Sequence, residues 1–275
     1  MDYDWSALAA ALPLTVATVV AVLGTTFLVA LRVGRHAVVD VAWGLGFVAV
    51  AAASYLLSSD EGDPLRRGLV LTLTAVWGVR LAIHIGRRSR GHGEDPRYEA
   101  LLARAPGSRT VYALRQVYLT QAAVMWFVSL PLQVAMFQAD GVGVVAWAGV
   151  ALWAAGLFFE AVGDRQLQRF RDDPANRGKV LDTGLWRYTR HPNYFGDACV
   201  WWGLSLIAFD AWPGVLTALS PVVMTWLLAN GTGKPLLEKG MSSTRPGYTD
   251  YVRRTSGFVP LPPRRTRPVA PRRNP

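Results

Sequence analysis

The residues best equipped for chemistry lie between Asp182 and Gly203, in the run DTGLWRYTRHPNYFGDACVWWG. Arg187, Arg190 and His191 stand just before Pro192, and Asn193, Tyr194 and Asp197 follow it. Proline lacks an N–H, suits the first helical position and steers the residue before it toward an extended conformation. The spacing therefore predicts a helix that starts at Pro192 and runs through Trp201, Trp202 and Leu204. The free N–H groups and positive dipole end of its first turn, with two arginines just ahead, suit an anion. The competing use of the same residues is anchoring, with the arginines, Trp186 and Tyr188 holding a helix end at a membrane interface.

Two further clusters carry groups of the right type. Glu160, Asp164, Gln168 and Arg171 fall along one helical stripe at the end of an apolar run. A snorkelling amphipathic end accounts for Arg169 and Arg171, and less well for the two carboxylates. Nearer the N-terminus, Arg80 and His84 are four residues apart in an apolar segment, and Asp40 opens another. Neither charge tolerates lipid, so Asp40 and Arg80 should pair or line a polar pocket. The segment GHGEDPRY adds His92, Glu94, Asp95, Arg97 and Tyr98. Its spacing matches no standard metal site and no metal is assigned; Arg97 and Tyr98 are read as contacts to a cofactor or substrate.

The elements that must position these groups are membrane helices. Of 275 residues, 51% are hydrophobic and 17% charged, below the roughly 25% charge of soluble domains. The expected fold is an all-α polytopic bundle of about seven transmembrane helices, near 7–31, 38–57, 68–86, 117–137, 142–163, 193–209 and 213–230. Lys and Arg number seven in 87–116, seven in 164–192 and ten from 231 onward, against none before the first span, in 138–141 or in 210–212. That alternation places the N-terminus outside and the C-terminus in the cytoplasm. Arg66 and Arg67 alone fall on the wrong side. The net charge of +10 thus reports topology rather than nucleic-acid binding. The lone Cys199 excludes a disulfide framework. The acidic start MDYDWS lacks the basic region of a cleaved signal, so the first span is expected to be retained. Residues 1–260 read as one domain, and 261–275 as a basic, Pro/Arg-rich disordered tail drawn to anionic lipid.

GLWRYTRHPNYFGD resembles the signature of the bacterial DUF1295 family, which is similar to the C-terminal domain of steroid 5-alpha-reductases. Gly184, Leu185 and Trp186, then Asn193, Tyr194, Phe195 and Gly196, match the reductase pattern, and Asp197 stands where those enzymes carry Glu. Glu160, Asp164 and Arg171 are in register with positions that contact the dinucleotide there, Glu160 replacing an Asn. The resemblance implies an NADPH-dependent reductase of a C=C bond in a sterol, polyprenoid or fatty acyl lipid. Its implied cofactor residues are Glu160, Asp164, Arg171, Lys179, Tyr188, Arg190, His191, Asn193, Tyr194 and Asp197, on the cytoplasmic side. Tyr98, in a Glu-Asp-x-Arg-Tyr run that is similar to a recurring DUF1295 feature, and the Asp40/Arg80 region are the expected catalytic groups. The closing run EKGMSSTRPGYTDYVRRTSGFVPLP is similar to that of both these reductases and isoprenylcysteine methyltransferases. Its markers are Glu238, Arg245, Tyr248 and Tyr251, and it either folds back to close the site or lies on the membrane surface.

Methyltransferases of the isoprenylcysteine and phospholipid type share an Arg-His-Pro-x-Tyr motif, which makes an S-adenosylmethionine-dependent methyltransferase the alternative. A non-catalytic lipid-binding protein is the third reading. The topology is testable directly: reporters fused after Arg90 and after Asp140 should report opposite sides of the membrane. A common side for both contradicts the arrangement.

Overall fold

The structure, a computed structural model, describes residues 3–231, 238, 241 and 245–264. No strand forms among them, and they gather into two compact units. Unit 1 is Met1–Ala151 with Trp202–Val222, and unit 2 is Leu152–Trp201 with Val223–Pro275. Most of the basic tail, 265–275, lies outside the described residues.

Unit 1 opens with α1 (Trp5–Val33), α2 (Val38–Leu57) and α3 (Pro64–Ser89). Their boundaries follow from end chemistry. Asp4 caps α1 by accepting from the Ser6 and Ala7 N–H groups, and Gly34 ends it at φ 72°, a left-handed conformation that suits glycine. Asp63 caps α3 ahead of Pro64. The cap of α2 comes from a distance: the Glu94 carboxylate accepts from the N–H groups of His36 and Ala37, the latter at 2.9 Å. α2 and α3 cross at two glycines, where a Cβ on Gly44 or on Gly78 would sit 2.5 Å from the other's carbonyl oxygen. Small residues at such crossings let helix backbones approach closely.

Next come α4 (Pro96–Leu102) and α5 (Arg109–Ala113), which passes through a π-helical segment, Leu114–Leu119, into α6 (Thr120–Val128) and α7 (Leu130–Met136). The chain bends by 41° between Val128 and Leu130. Backbone groups freed at such a break must be satisfied inside a membrane protein. Buried Gln133 does this work: its Nε2 donates to Ser129 Oγ at 2.8 Å and to the Trp126 carbonyl, and its Oε1 accepts from Thr15 at 2.7 Å. The remaining helices are α8 (Val144–Asp172), α9 (Pro192–Phe209), α10 (Leu219–Ala229) and α11 (Tyr248–Arg254).

Four helices, α1, α2, α3 and α8, are long and apolar enough to cross a membrane, and the bent stretch Arg109–Met136 makes a fifth if counted as one span. The chain is a multi-pass helical membrane protein, with four or five such helices where seven were expected. The difference has a physical cause. α9 begins with Asn193, Tyr194 and Asp197, so its apolar part falls short of a full bilayer. The last apolar run is interrupted by a 3₁₀ turn, Gly214–Thr217, which leaves an 11-residue α10. At 1.5 Å per residue such a helix covers about half of a roughly 30 Å hydrocarbon layer.

The two arginines that break the charge alternation are folded into unit 1 rather than solvated. Arg66 is fully buried. It pairs with Asp210 at 2.9 Å and donates to the carbonyls of Ile207, Asp140 and Gly141. Asp210 also accepts from the N–H groups of Gly143 and Ala146. Burial pushes the Asp210 carboxyl pKa up, but the Gly143 N–H and Arg66 outweigh it and hold the group ionised below its usual range. Arg67 donates to Ser58 Oγ and to the carbonyls of Ser59 and Tyr55, with its guanidinium 4.5 Å over the Tyr55 ring. Asp210→Ala would leave the buried Arg66 guanidinium without its counter-charge, an expected loss of about 3–5 kcal/mol. Equilibrium unfolding of the detergent-solubilised variant checks this, and a loss below about 1 kcal/mol contradicts it.

Candidate functional site

In unit 2 the signature folds against the end of α8. Glycines set the approach. A Cβ on Gly156 would meet the Gly196 carbonyl at 2.6 Å, and one on Gly196 would meet the Glu160 backbone nitrogen at 2.5 Å. Seven residues on, Gly163 packs on Pro192 and the Asn193 nitrogen. This contact brings the stripe of α8 to the first turn of α9. Asn193 Nδ2 donates to Asp164 Oδ1 at 3.1 Å. Glu160, Asp164, His191 and Asp197 are 2%, 6%, 4% and 8% exposed, levels that acidic side chains seldom reach. The Asn193 Oδ1 is buried and accepts no hydrogen bond among the described residues.

The turn ahead of α9 is tied on both sides. Gly184, at φ +59°, leaves no room for a side chain, since a Cβ there would meet Gln166 Nε2 at 2.4 Å. Gln166 Oε1 accepts from the Leu185 N–H, and the Trp186 indole donates to the Gly163 carbonyl. Trp186 is therefore a buried strut, while Tyr188 is 44% exposed. The closing segment folds back on this turn. Tyr251 donates its hydroxyl proton to the Trp186 carbonyl at 2.6 Å, Thr189 donates to Phe258, and the Arg190 N–H to Ser256. Arg254 pairs with Asp182. Arg190 binds Glu238 through Nε at 2.9 Å and the carbonyls of Val252 and Thr255 through Nη1. His191 Nε2 lies 2.9 Å from the same Glu238 carboxylate, with its ring stacked on Tyr194. Glu238 is thus the acceptor shared by two signature residues. Sequence marked it only as a polar position, because nothing in the spacing reports a contact across 47 residues.

The structure joins Asp164 to Asn193, stacks His191 on Tyr194, and brings the Glu160 backbone against Gly196, the residue before buried Asp197. Arg190 adjoins His191 through Glu238 but faces the closing segment. Lys179 is exposed and offers its carbonyl to Arg245 at 3.0 Å. Two cavities open beside the end of α8. One, of about 320 Å³, has Arg171, Arg177 and Arg245 in its wall. The other, of about 300 Å³, is lined by Gln166, Arg169 and Thr183, and shares Phe170 and Asn176 with the first.

In unit 1 the GHGEDPRY loop meets the start of α2. Tyr98 donates to Asp40 Oδ1 at 2.6 Å, and Arg97 Nη2 to Asp40 Oδ2 at 2.7 Å. Arg97 also grips Asp95, which caps α4. Asp40 therefore takes Arg97 and Tyr98 as partners, where the expectation was that it pairs with Arg80 or lines a polar pocket with it. Arg80 lies on α3 and is itself engaged. Glu94, weighed as a metal ligand, serves as the α2 cap. Burial, then the Asp40 charge and hydrogen bond, raise the Tyr98 pKa far above its ordinary value.

The Glu238 junction carries a pH signature. Burial pushes its pKa up, but hydrogen bonds from His191 and Arg190 pull it down to about 2 from an ordinary 4.5. A depressed carboxylate pKa contributes stability above the unfolded value, lost as pH falls through the folded one. Glu238→Gln should lower the unfolding temperature most above pH 4.5, and its difference from the parent protein should vanish toward pH 2. A difference that stays constant across that window contradicts the junction.

The sequence model of DUF1295, described as a protein of unknown function, matches residues 26–255. No curated protein and no solved structure matches the chain. With the signature, the α8 stripe and most of the closing segment inside the matched range, the chain belongs to the DUF1295 family.

Proposed function

We propose that this protein is an integral-membrane reductase that uses NADPH to reduce a C=C bond of a lipid. The observation that carries the proposal is the set of buried polar side chains in unit 2, Glu160, Asp164, His191 and Asp197, gathered where α8 meets α9. A helix end that merely anchors the chain at an interface keeps its polar groups in water. A dinucleotide fits this donor and acceptor set. Glu160 and Asp164 can accept from ribose hydroxyls, the Asn193 Oδ1 is a further acceptor, and Arg171 and Lys179 can meet phosphates. Arg190, His191 and Tyr194 then position the turn, Arg190 through its bonds to Glu238 and the closing segment.

When bound, the cofactor supplies a hydride. The chain's own residues must exclude water, orient the lipid and supply a proton. Tyr98 is the proposed proton donor and Asp40 its partner, with Arg80 assigned to polarising the acceptor. The Tyr98 hydroxyl already donates to Asp40 Oδ1, and burial and the Asp40 charge raise its pKa, so the phenol is a hydrogen-bond donor rather than a base. The lipid can be a sterol, a polyprenoid or a fatty acyl chain. The charge alternation of the loops supports a dinucleotide site on the cytoplasmic side.

One observation favours the methyltransferase instead: buried carboxylates suit the cationic sulfonium of S-adenosylmethionine. The arginines around the α8 cavities weigh against it, since that ligand carries no phosphate. Equilibrium binding of both ligands to one preparation separates the two. NADPH should bind, with affinity falling steeply as salt rises, and Asn193→Ala should weaken it by about 1–3 kcal/mol, or roughly 5- to 150-fold, in a protein that remains folded. Binding of S-adenosylmethionine alone overturns the assignment.

A further inference from the structure

The cavity of about 320 Å³ at the end of α8 has a wall of mixed chemistry. Arg171, Asp172 and Asp173 come from the helix end, Arg177 from the turn after it, and Arg245 from the closing segment. Phe170 adds an aromatic surface and lines the neighbouring cavity as well. The volume lies at the lower end of small-ligand sites, about 300–1,000 Å³. The two carboxylates are engaged locally. Asp172 accepts from Gln168 Nε2 at 2.7 Å, and Asp173 accepts from the Ala175 N–H and from Asn176 Nδ2. Arg245 is held across the chain by donating to the Lys179 carbonyl, which fixes one guanidinium at the rim.

A bare anion is a poor match for this wall. Two carboxylates and the negative end of the α8 dipole oppose it, against three guanidinium groups. A phosphorylated nucleoside is a better match, because it needs donors for a phosphate, acceptors for hydroxyl or amino groups, and a flat apolar face for the base. Arginine supplies the planar fork that phosphate favours, and aromatic side chains stack on bases.

We propose that this cavity takes the adenosine 2′-phosphate portion of the dinucleotide, with Arg177 and Arg245 gripping the phosphomonoester and Phe170 beside the base. It rests on the reductase reading above and adds to it two residues that discriminate NADPH from NADH. Neither arginine belongs to the signature or to the α8 stripe.

The test is equilibrium binding of NADPH, NADH, 2′,5′-ADP and inorganic phosphate to the full-length protein in nanodiscs of neutral phosphatidylcholine. The parent protein should prefer NADPH to NADH at least tenfold, bind 2′,5′-ADP competitively with NADPH, and hold inorganic phosphate far more weakly. Arg177→Gln should weaken NADPH and 2′,5′-ADP at least fivefold while leaving NADH unchanged. Arg245→Gln should do the same, and thermal unfolding checks that losing its bond to Lys179 has not unfolded the segment. NADPH binding that ignores Arg177→Gln, or equal losses for NADPH and NADH, overturns this inference and leaves the reductase reading standing. Absence of any NADPH binding overturns both. A further arm adds phosphatidic acid to the nanodiscs: if that lipid, rather than 2′,5′-ADP, displaces bound phosphate in an Arg177-dependent way, the cavity reads a lipid headgroup and the nucleotide assignment falls.

Discussion

A charge withdrawn from water must find its partners inside the protein, and this chain withdraws many. Arg66 is fully buried beside Asp210 in unit 1, and Arg190 shares Glu238 with His191 in unit 2. Removing either partner of such a pair leaves an uncompensated charge, so each pair constrains the chain that carries it. The Arg66–Asp210 contact ties α3 to the end of α9 and, through Gly143 and Ala146, to the start of α8. The Arg190–Glu238 contact fixes the closing segment on the turn before α9. The geometry of the signature follows from these ties, because its backbone is held at Trp186, Thr189 and Arg190 by residues from the far end of the sequence.

Close backbone approach is the second condition. Gly156, Gly163 and Gly196 let α8 and α9 come near enough for Asn193 to reach Asp164. A side chain at Gly196 would strike the Glu160 backbone and push apart the two stripes that the functional reading needs. Unit 1 uses the same device at Gly44 and Gly78. The glycines therefore shape the candidate site by setting the distance between helices.

Much of the site was legible in the chain because its cues are local. Pro192 marks the start of α9, and the four-residue spacing of Glu160 and Asp164 puts both on one face of α8. Glu238, the Gly156–Gly196 contact and the Glu94 cap were not legible, since each depends on residues far apart in sequence. The seven-residue repeat of Gly149, Gly156 and Gly163 was the one available signal for the close helix contact. The seven expected spans are matched by only four or five long apolar helices among the described residues for a related reason. Hydropathy registers apolar content but not the polar first turn of α9 or the 3₁₀ break before α10, both of which shorten a helix without removing its apolar character. The arginines at 66 and 67 likewise look like loop charges in a linear count and prove to be interior ones.

The central claim is that unit 2 builds a dinucleotide site from the α8 stripe and the signature, held together by the closing segment. Amide hydrogen exchange in nanodiscs, with and without saturating NADPH, tests it most directly. Slower exchange is predicted in 160–171 and 184–197, and also in 248–258, which is coupled to the site through Arg190. Unchanged exchange in all three segments with NADPH, or slowing there only with S-adenosylmethionine, would contradict it.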